Sequence, residues 1–137
     1  MLLWKRFHQI IFYFFRVLKE APFIQDVIGD FVEFETTGCL LGHSVLFDYS
    51  FLKRAAVNEG KTFEKKGIDT LSISRKYLQD LESRSLPYLS GFFGIAHEAH
   101  RALPDVEATR ELYKLLEEKF GQEEDASKYF EPKELIY

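Results

Sequence analysis

Cysteine is nearly absent from this 137-residue chain. The single copy, Cys39, excludes an intrachain disulfide and lies in an apolar run, where a buried thiol is expected rather than a nucleophile. One cysteine suits a reducing cytoplasm. Positive charge is also short, with 18 Lys and Arg against 22 Asp and Glu, a net charge of −4 and a pI of about 5.6. That balance excludes a nonspecific nucleic-acid binder held by a basic surface. It leaves open an enzyme acting on phosphates, because metal ions in a carboxylate site offset their charge. No apolar run is long enough to cross a membrane: the longest, Ile10 to Phe15, falls far short of the roughly 20 residues a spanning helix needs. His97 and His100 stand three apart, yet no further Cys or His follows at ligand spacing, which argues against zinc. Internal repeats and low-complexity tracts are missing too.

What remains is ordinary in bulk and unusual in places. Hydrophobic residues at 46% and charged residues at 29% are those of a globular protein. The length allows one domain at most, with room for a core. Aromatics are abundant: 14 Phe, 7 Tyr and 1 Trp. Residues 1–18 concentrate them in an atypical apolar and basic segment. A weak signal peptide and a helix lying on a membrane surface are two readings of it. From Lys19 the pattern is conventional. Ile24, Val27, Ile28 and Phe31 share one helical face, with Asp26, Asp30 and Glu33 turned outward. Cys39 to Gly42 reads as a short buried strand. Asp48 to Asn58 reads as a helix with Phe47, Phe51, Leu52 and Ala55 facing inward. Ile68 to Leu71 is a second short strand, with Asp69 or Thr70 as cap of the helix through Leu78. Leu86 to Phe92 is a short helix capped by Ser83 or Ser85. After Gly121 the residues 122–137 form a polar tail without a core pattern, expected to be exposed or frayed.

Two stretches carry possible chemistry. The first is His100-Arg101-Ala102-Leu103-Pro104-Asp105 and the helix after it. Pro104 suits the first helical position, and Asp105 then lies in the first turn, beside the positive end of the helix dipole. Val106, Thr109, Leu112, Tyr113, Leu116 and Phe120 recur at helical spacing. A carboxylate for a metal and a histidine for a proton suit metal-assisted hydrolysis. An isolated pair of this kind is more simply a capping aspartate and a surface histidine. The second stretch runs from Leu40 to Leu52, with His43, Phe47, Asp48 and Phe51.

Together, in order and spacing, these stretches resemble the DnaQ-like 3′–5′ exonuclease family, the proofreading exonucleases with a catalytic histidine. His43, Phe47, Asp48, Phe51 and Leu52 fit the family's second motif, with Ser44 in place of its usual Asn. His100, Ala102 and Asp105 fit its third, His-x-Ala-x-x-Asp, and Ala108, Thr109 and Leu112 continue it. The resemblance covers residues 19 to 120. It implies an α/β fold of the ribonuclease H type and hydrolysis of phosphodiester bonds from the 3′ end of DNA or RNA. It further implies Mg2+ or Mn2+ as cofactor, Asp48 and Asp105 as metal carboxylates, and His100 as general base. His43 and Phe51 would line the site for the terminal nucleotide.

The family's first motif, Asp-x-Glu on a strand well upstream of the second, has no match in the 47 residues before Asp48. Glu33, Glu35 and the following Thr36-Thr37-Gly38 imitate it, but Asp48 follows too closely and Gly38 is explained as a helix stop. The chain therefore reads as the C-terminal part of such a domain: helix-rich, with a residual sheet of about two strands. Residues 1–18 stand apart from an exonuclease portion at 19–121 and the tail. His8 to Pro22 matches a family stretch at both ends, which makes truncation or sequence damage, rather than membrane attachment, the expected origin of the first segment. The partners implied are a single-stranded 3′ end and a polymerase or a chain that supplies the missing motif. A non-catalytic interaction remnant and one half of a split exonuclease are the competing readings.

Overall fold

The structure, a computed structural model, describes residues 22–34, 38–98 and 102–137. The aromatic segment 1–18, the decoy residue Glu35 and the candidate base His100 lie outside the described residues. Helix α1 (Ile24–Phe34) buries Ile28 and Phe31 and turns Asp26, Asp30 and Glu33 to solvent, as its 3.6-residue period requires. It packs on helix α2 (Val45–Asn58), which connects strand β1 (Leu40–Gly42) to strand β2 (Lys66–Asp69). The two strands are parallel, with Leu40 opposite Gly67 and Gly42 opposite Asp69. A parallel pair needs a crossover, and α2 supplies it.

Helices α3 (Thr70–Tyr77), α4 (Leu86–Phe93) and α5 (Ala102–Phe120) follow. Successive side chains on β1 point to opposite faces: Leu40 joins a core with Ile28, Phe31, Tyr49, Leu52 and Phe63. Cys39 and Leu41 join the other, with Ile68, Ile73, Leu89, Leu112 and Leu116. The sheet is thus a middle layer, with α1 and α2 on one face and α3, α4 and α5 on the other.

Several elements depart from expectation. Strand β2 lies at Lys66–Asp69, two residues earlier than Ile68–Leu71, because Asp69 caps α3 and Thr70 and Leu71 open that helix instead. Helix α5 begins at Ala102, so Pro104 is its third residue rather than its first. Helix α2 begins at Val45, three residues earlier than the sequence suggests, and buries Val45, Tyr49, Leu52, Ala55 and Ala56. With Val45, Tyr49 and Leu52 on the core-facing stripe, Phe47 and Phe51, expected to face inward, lie on the opposite side and are 74% and 52% exposed. The tail is not frayed. It forms helix α6 (Ser127–Phe130) and strand β3 (Lys133–Glu134), which pairs antiparallel with β2 and makes the sheet three-stranded, in the order β1-β2-β3. Tyr77 stacks on Phe120 at 4.8 Å and meets Tyr129 edge-on at 5.7 Å. Its hydroxyl donates to Asp125 Oδ1 at 2.5 Å. Leu135 N donates to Lys65 O at 3.0 Å, completing the strap. Gly67 lets Leu135 lie close, because a Cβ would fall 2.8 Å from Leu135 Cδ1 and the leucine side chain would have to shift.

Candidate functional site

In open α/β sheets ligands bind beyond the carboxyl ends of parallel strands. Here those ends are Gly42 and Asp69. The chain leaves β1 through His43 and Ser44, and Ser44 adopts the left-handed conformation, φ 73° and ψ 53°. Its own side chain does not cap α2. Instead Asp69 Oδ1 accepts from Ser44 N at 2.8 Å and also from Leu71 N at 2.9 Å. One carboxylate oxygen thus ties the turn after β1 to the start of α3, fulfilling the capping expectation for Asp69.

His43 sits in the same knot. Its Nε2 donates to the carbonyl of Arg84 at 2.7 Å, and its Nδ1 lies 2.8 Å from Thr70 Oγ1. Thr70 Oγ1 also lies 3.2 Å from the carbonyl of Gly42. Burial pushes the His43 pKa below the ordinary histidine value and Arg75 pushes the same way, against the Arg84 carbonyl and Asp69. A neutral ring follows, with its proton on Nε2 and the Thr70 hydroxyl donating to Nδ1. Both ring nitrogens hold the fold together.

Asp48 lies in the first turn of α2, half-buried. Burial, and secondarily the Asp69 charge, raise its pKa to about 6, against a bond from its own backbone N–H. Phe51, one turn on, and Phe47 stand exposed beside it. Asp105 lies in the first turn of α5, and Thr109 Oγ1 donates to its backbone carbonyl at 2.7 Å. Its carboxylate meets His97, whose Nε2 is 2.5 Å from Oδ1. Helices α2 and α5 both pack on β1, so one short strand carries the elements of both aspartates. The structure joins Asp48 electrostatically to Asp69 and Asp105 to His97. Sequence reasoning weighed His97 only with His100 as a zinc pair and missed its contact with Asp105, which lies eight residues on and follows no period.

The arrangement can be compared with known proteins. A family model described as "Exonuclease" matches residues 16–113. The chain belongs to this exonuclease family. Its relatives place it in the DnaQ-like branch, and its fold is accordingly of the ribonuclease H type, helix-rich around a small three-stranded sheet. It is 40% identical over 104 residues to a protein named DNA polymerase III PolC-type from Caldanaerobacter subterraneus, matching 74% of this chain and 7% of that one. It is 34% identical over 105 residues to DNA polymerase III subunit epsilon of Aquifex aeolicus, covering 74% of this chain and 52% of the relative. A subunit epsilon-like protein of Rhodobacter capsulatus is 35% identical over 100 residues, 71% of this chain and 14% of that protein. The chain thus spans about half of one of these relatives and a small part of the others. No solved structure gives a significant match.

Members of this exonuclease family work with divalent metals. The donors here fit a hard cation in kind, since Asp48 and Asp105 offer carboxylate oxygens. Asp48 in particular is a half-buried acid beside a second carboxyl, a charge that a cation would relieve. In number they are few: among the described residues no group of three or more His, Cys, Asp or Glu is placed to hold a metal ion. One or two carboxylates completed by substrate phosphate and water is nevertheless a common way of holding Mg2+. Among the described residues no helix is long and apolar enough to cross a membrane.

Proposed function

We propose that this chain is an exonuclease-type domain that releases nucleotides from the 3′ end of single-stranded DNA or RNA by metal-assisted hydrolysis. The observation that supports it is the placement of Asp48, half-buried next to Asp69 where the two parallel strands end, within a chain of this family. In this reading Asp48 and Asp105 hold Mg2+ or Mn2+ together with the substrate phosphate. The cation supplies positive charge at the scissile phosphate. His100 takes the proton of the attacking water, a role that suits a group titrating near neutrality. Phe51 offers an exposed ring to the terminal base. His43, with both nitrogens engaged, would line the site through its ring and by keeping the turn after β1 in place. Residues 19–121 form the exonuclease portion in this reading, acting in the cytoplasm alongside a polymerase.

The test is release of nucleotides by the purified chain with Mn2+, from one strand labelled at the 3′ end and one at the 5′ end. Immediate loss of the 3′ label, with a shortening ladder from the 5′-labelled strand, is expected, and Asp105→Ala should abolish both. Internal cuts or loss from the 5′ end would sink the proposed polarity. A second reading, binding without cleavage as an interaction module or as half of a split enzyme, is favoured by the exposed Phe47 and Phe51. Retention of a labelled strand without release, weakened by Phe51→Ala, would select it.

A further inference from the structure

The segment after α4 is set by two anchors. Gly94 ends the helix in the left-handed region at φ 70°, and Ile95 N donates to Ser90 O at 2.8 Å. Ile95 then packs against the core of α3, α4 and α5. From there the chain alternates: Ala96 is exposed, His97 turned in, Glu98 exposed. The His97 side chain is only 5% exposed, and it spends its Nε2–H on Asp105 Oδ1 at 2.5 Å. Asp105 itself keeps 39% of its side chain open to solvent. A buried imidazole thus grips one oxygen of a carboxylate whose face is open.

We infer that His97 is a positioning residue: by donating Nε2–H to Oδ1 it fixes the Asp105 carboxylate so that Oδ2, the oxygen it does not use, faces a divalent cation. The inference rests on the proposed role of Asp105. Its physical content is orientation. An aspartate in the first turn of a helix can rotate about χ1 and χ2, and a ligand that must first be ordered binds more weakly. Hydrogen-bonded partners behind metal-binding side chains are worth roughly 10–100-fold in metal affinity. A histidine suits the place because its ring is rigid and reaches across from the neighbouring segment. The proposal requires only that Nε2 carry a proton, which it does in the imidazolium and in one neutral tautomer.

The experiment measures Mn2+ affinity of the full chain by electron paramagnetic resonance of free Mn2+, at one pH, with and without a short single-stranded oligonucleotide. Thermal unfolding without metal is recorded beside it. His97→Leu fills the space without a donor and should weaken Mn2+ roughly 10–100-fold. His97→Gln restores a donor near Nε2 and should recover most of that loss at similar metal-free stability, a rescue that a purely structural role would not give. Should His97→Leu fail to fold, His97→Asn, whose shorter arm withdraws the donor, replaces it with the same expectation. If the donor-less variant binds Mn2+ as tightly as the parent while Asp105→Asn does not, the positioning role is wrong and the reading of Asp105 stands. Tighter binding on removal of His97 would mean that the imidazole competes with the cation, and also overturns it. If Asp105→Asn leaves binding unchanged, or the parent takes up no Mn2+ under either condition, the reading of Asp105 fails and the inference with it.

Discussion

Replacing Asp48 by Asn should stabilise the metal-free chain above pH 6 and do almost nothing in acid. Burial and the Asp69 charge raise this carboxyl from 3.8 to about 6. At roughly 1.4 kcal/mol per pH unit, that gap makes ionised Asp48 cost the fold about 3 kcal/mol, an order-of-magnitude figure. The sign follows from where the proton sits. Below the unfolded value both states hold it, and no penalty exists. As pH rises from about 4 to about 6 the unfolded chain ionises first, and stability is lost until the folded group ionises too. Above that the loss is constant. Asn stays neutral throughout, so the difference between variant and parent should grow from near zero to a plateau. Urea titrations at pH steps between about 3 and 8, without divalent cations, measure it. With urea slopes of about 1–3 kcal/mol per molar, the midpoint should shift by roughly 1–3 M at the plateau. A difference that does not change with pH would refute the reasoning. So would a variant less stable than the parent at neutral pH.

The other predictions concern the frame around the site. Ser44→Asn should stabilise by about 0.5–1 kcal/mol, because Ser44 is left-handed at φ 73° and Asn tolerates that region better; thermal unfolding reports it, and the Asn is also the family's usual residue there. Gly67→Ala should destabilise by about 1 kcal/mol or less, since its Cβ would fall 2.8 Å from Leu135 Cδ1 and the half-buried leucine side chain must shift; faster proteolysis after residue 130 is the accompanying sign. Tyr77→Phe removes the bond to Asp125 and should cost about 1–2 kcal/mol. Tyr77 itself should resist ionisation in a spectrophotometric titration, its pKa being pushed up to about 12 by burial and by Asp125.

Much of this frame was legible in the sequence because it is local. The amphipathic period of α1, the Asp69 and Ser85 caps and strand β1 rest on contacts within a turn or on a short run of apolar residues, and strand β2 was legible apart from a shift of two residues. The second and third motifs gave the family. What escaped depends on contacts between distant residues. The turn into helix α2 is held by Asp69, which binds the Ser44 amide across 25 positions, and the inward stripe of the helix is set by Val45, Tyr49 and Leu52 packing with Ile28 and Phe31, which leaves Phe47 and Phe51 outward. Strand β3 has no pattern of its own and exists because β2 offers it an edge. His97 is indistinguishable from a surface histidine until α5 is packed beside it.

The strap has a consequence for the order in which the molecule assembles. β1 and β2 pair across 27 positions (Leu40 with Gly67) that α2 bridges, whereas Lys66 pairs with Glu134 across 68. Helix α6, with Tyr129 and Phe130 packed beside Tyr77, offsets most of that closure, and β3 adds only two residues of pairing and the packing of Leu135, a small return for ordering the last residues. β3 therefore docks late and opens first. Amides of residues 133–135 should exchange hydrogen well before those of β1 and α5, and each opening bares the outer edge of β2. An uncovered strand edge is a template for pairing with another molecule, so the stickiness of this protein in solution should track the fraying of its strap rather than its global stability.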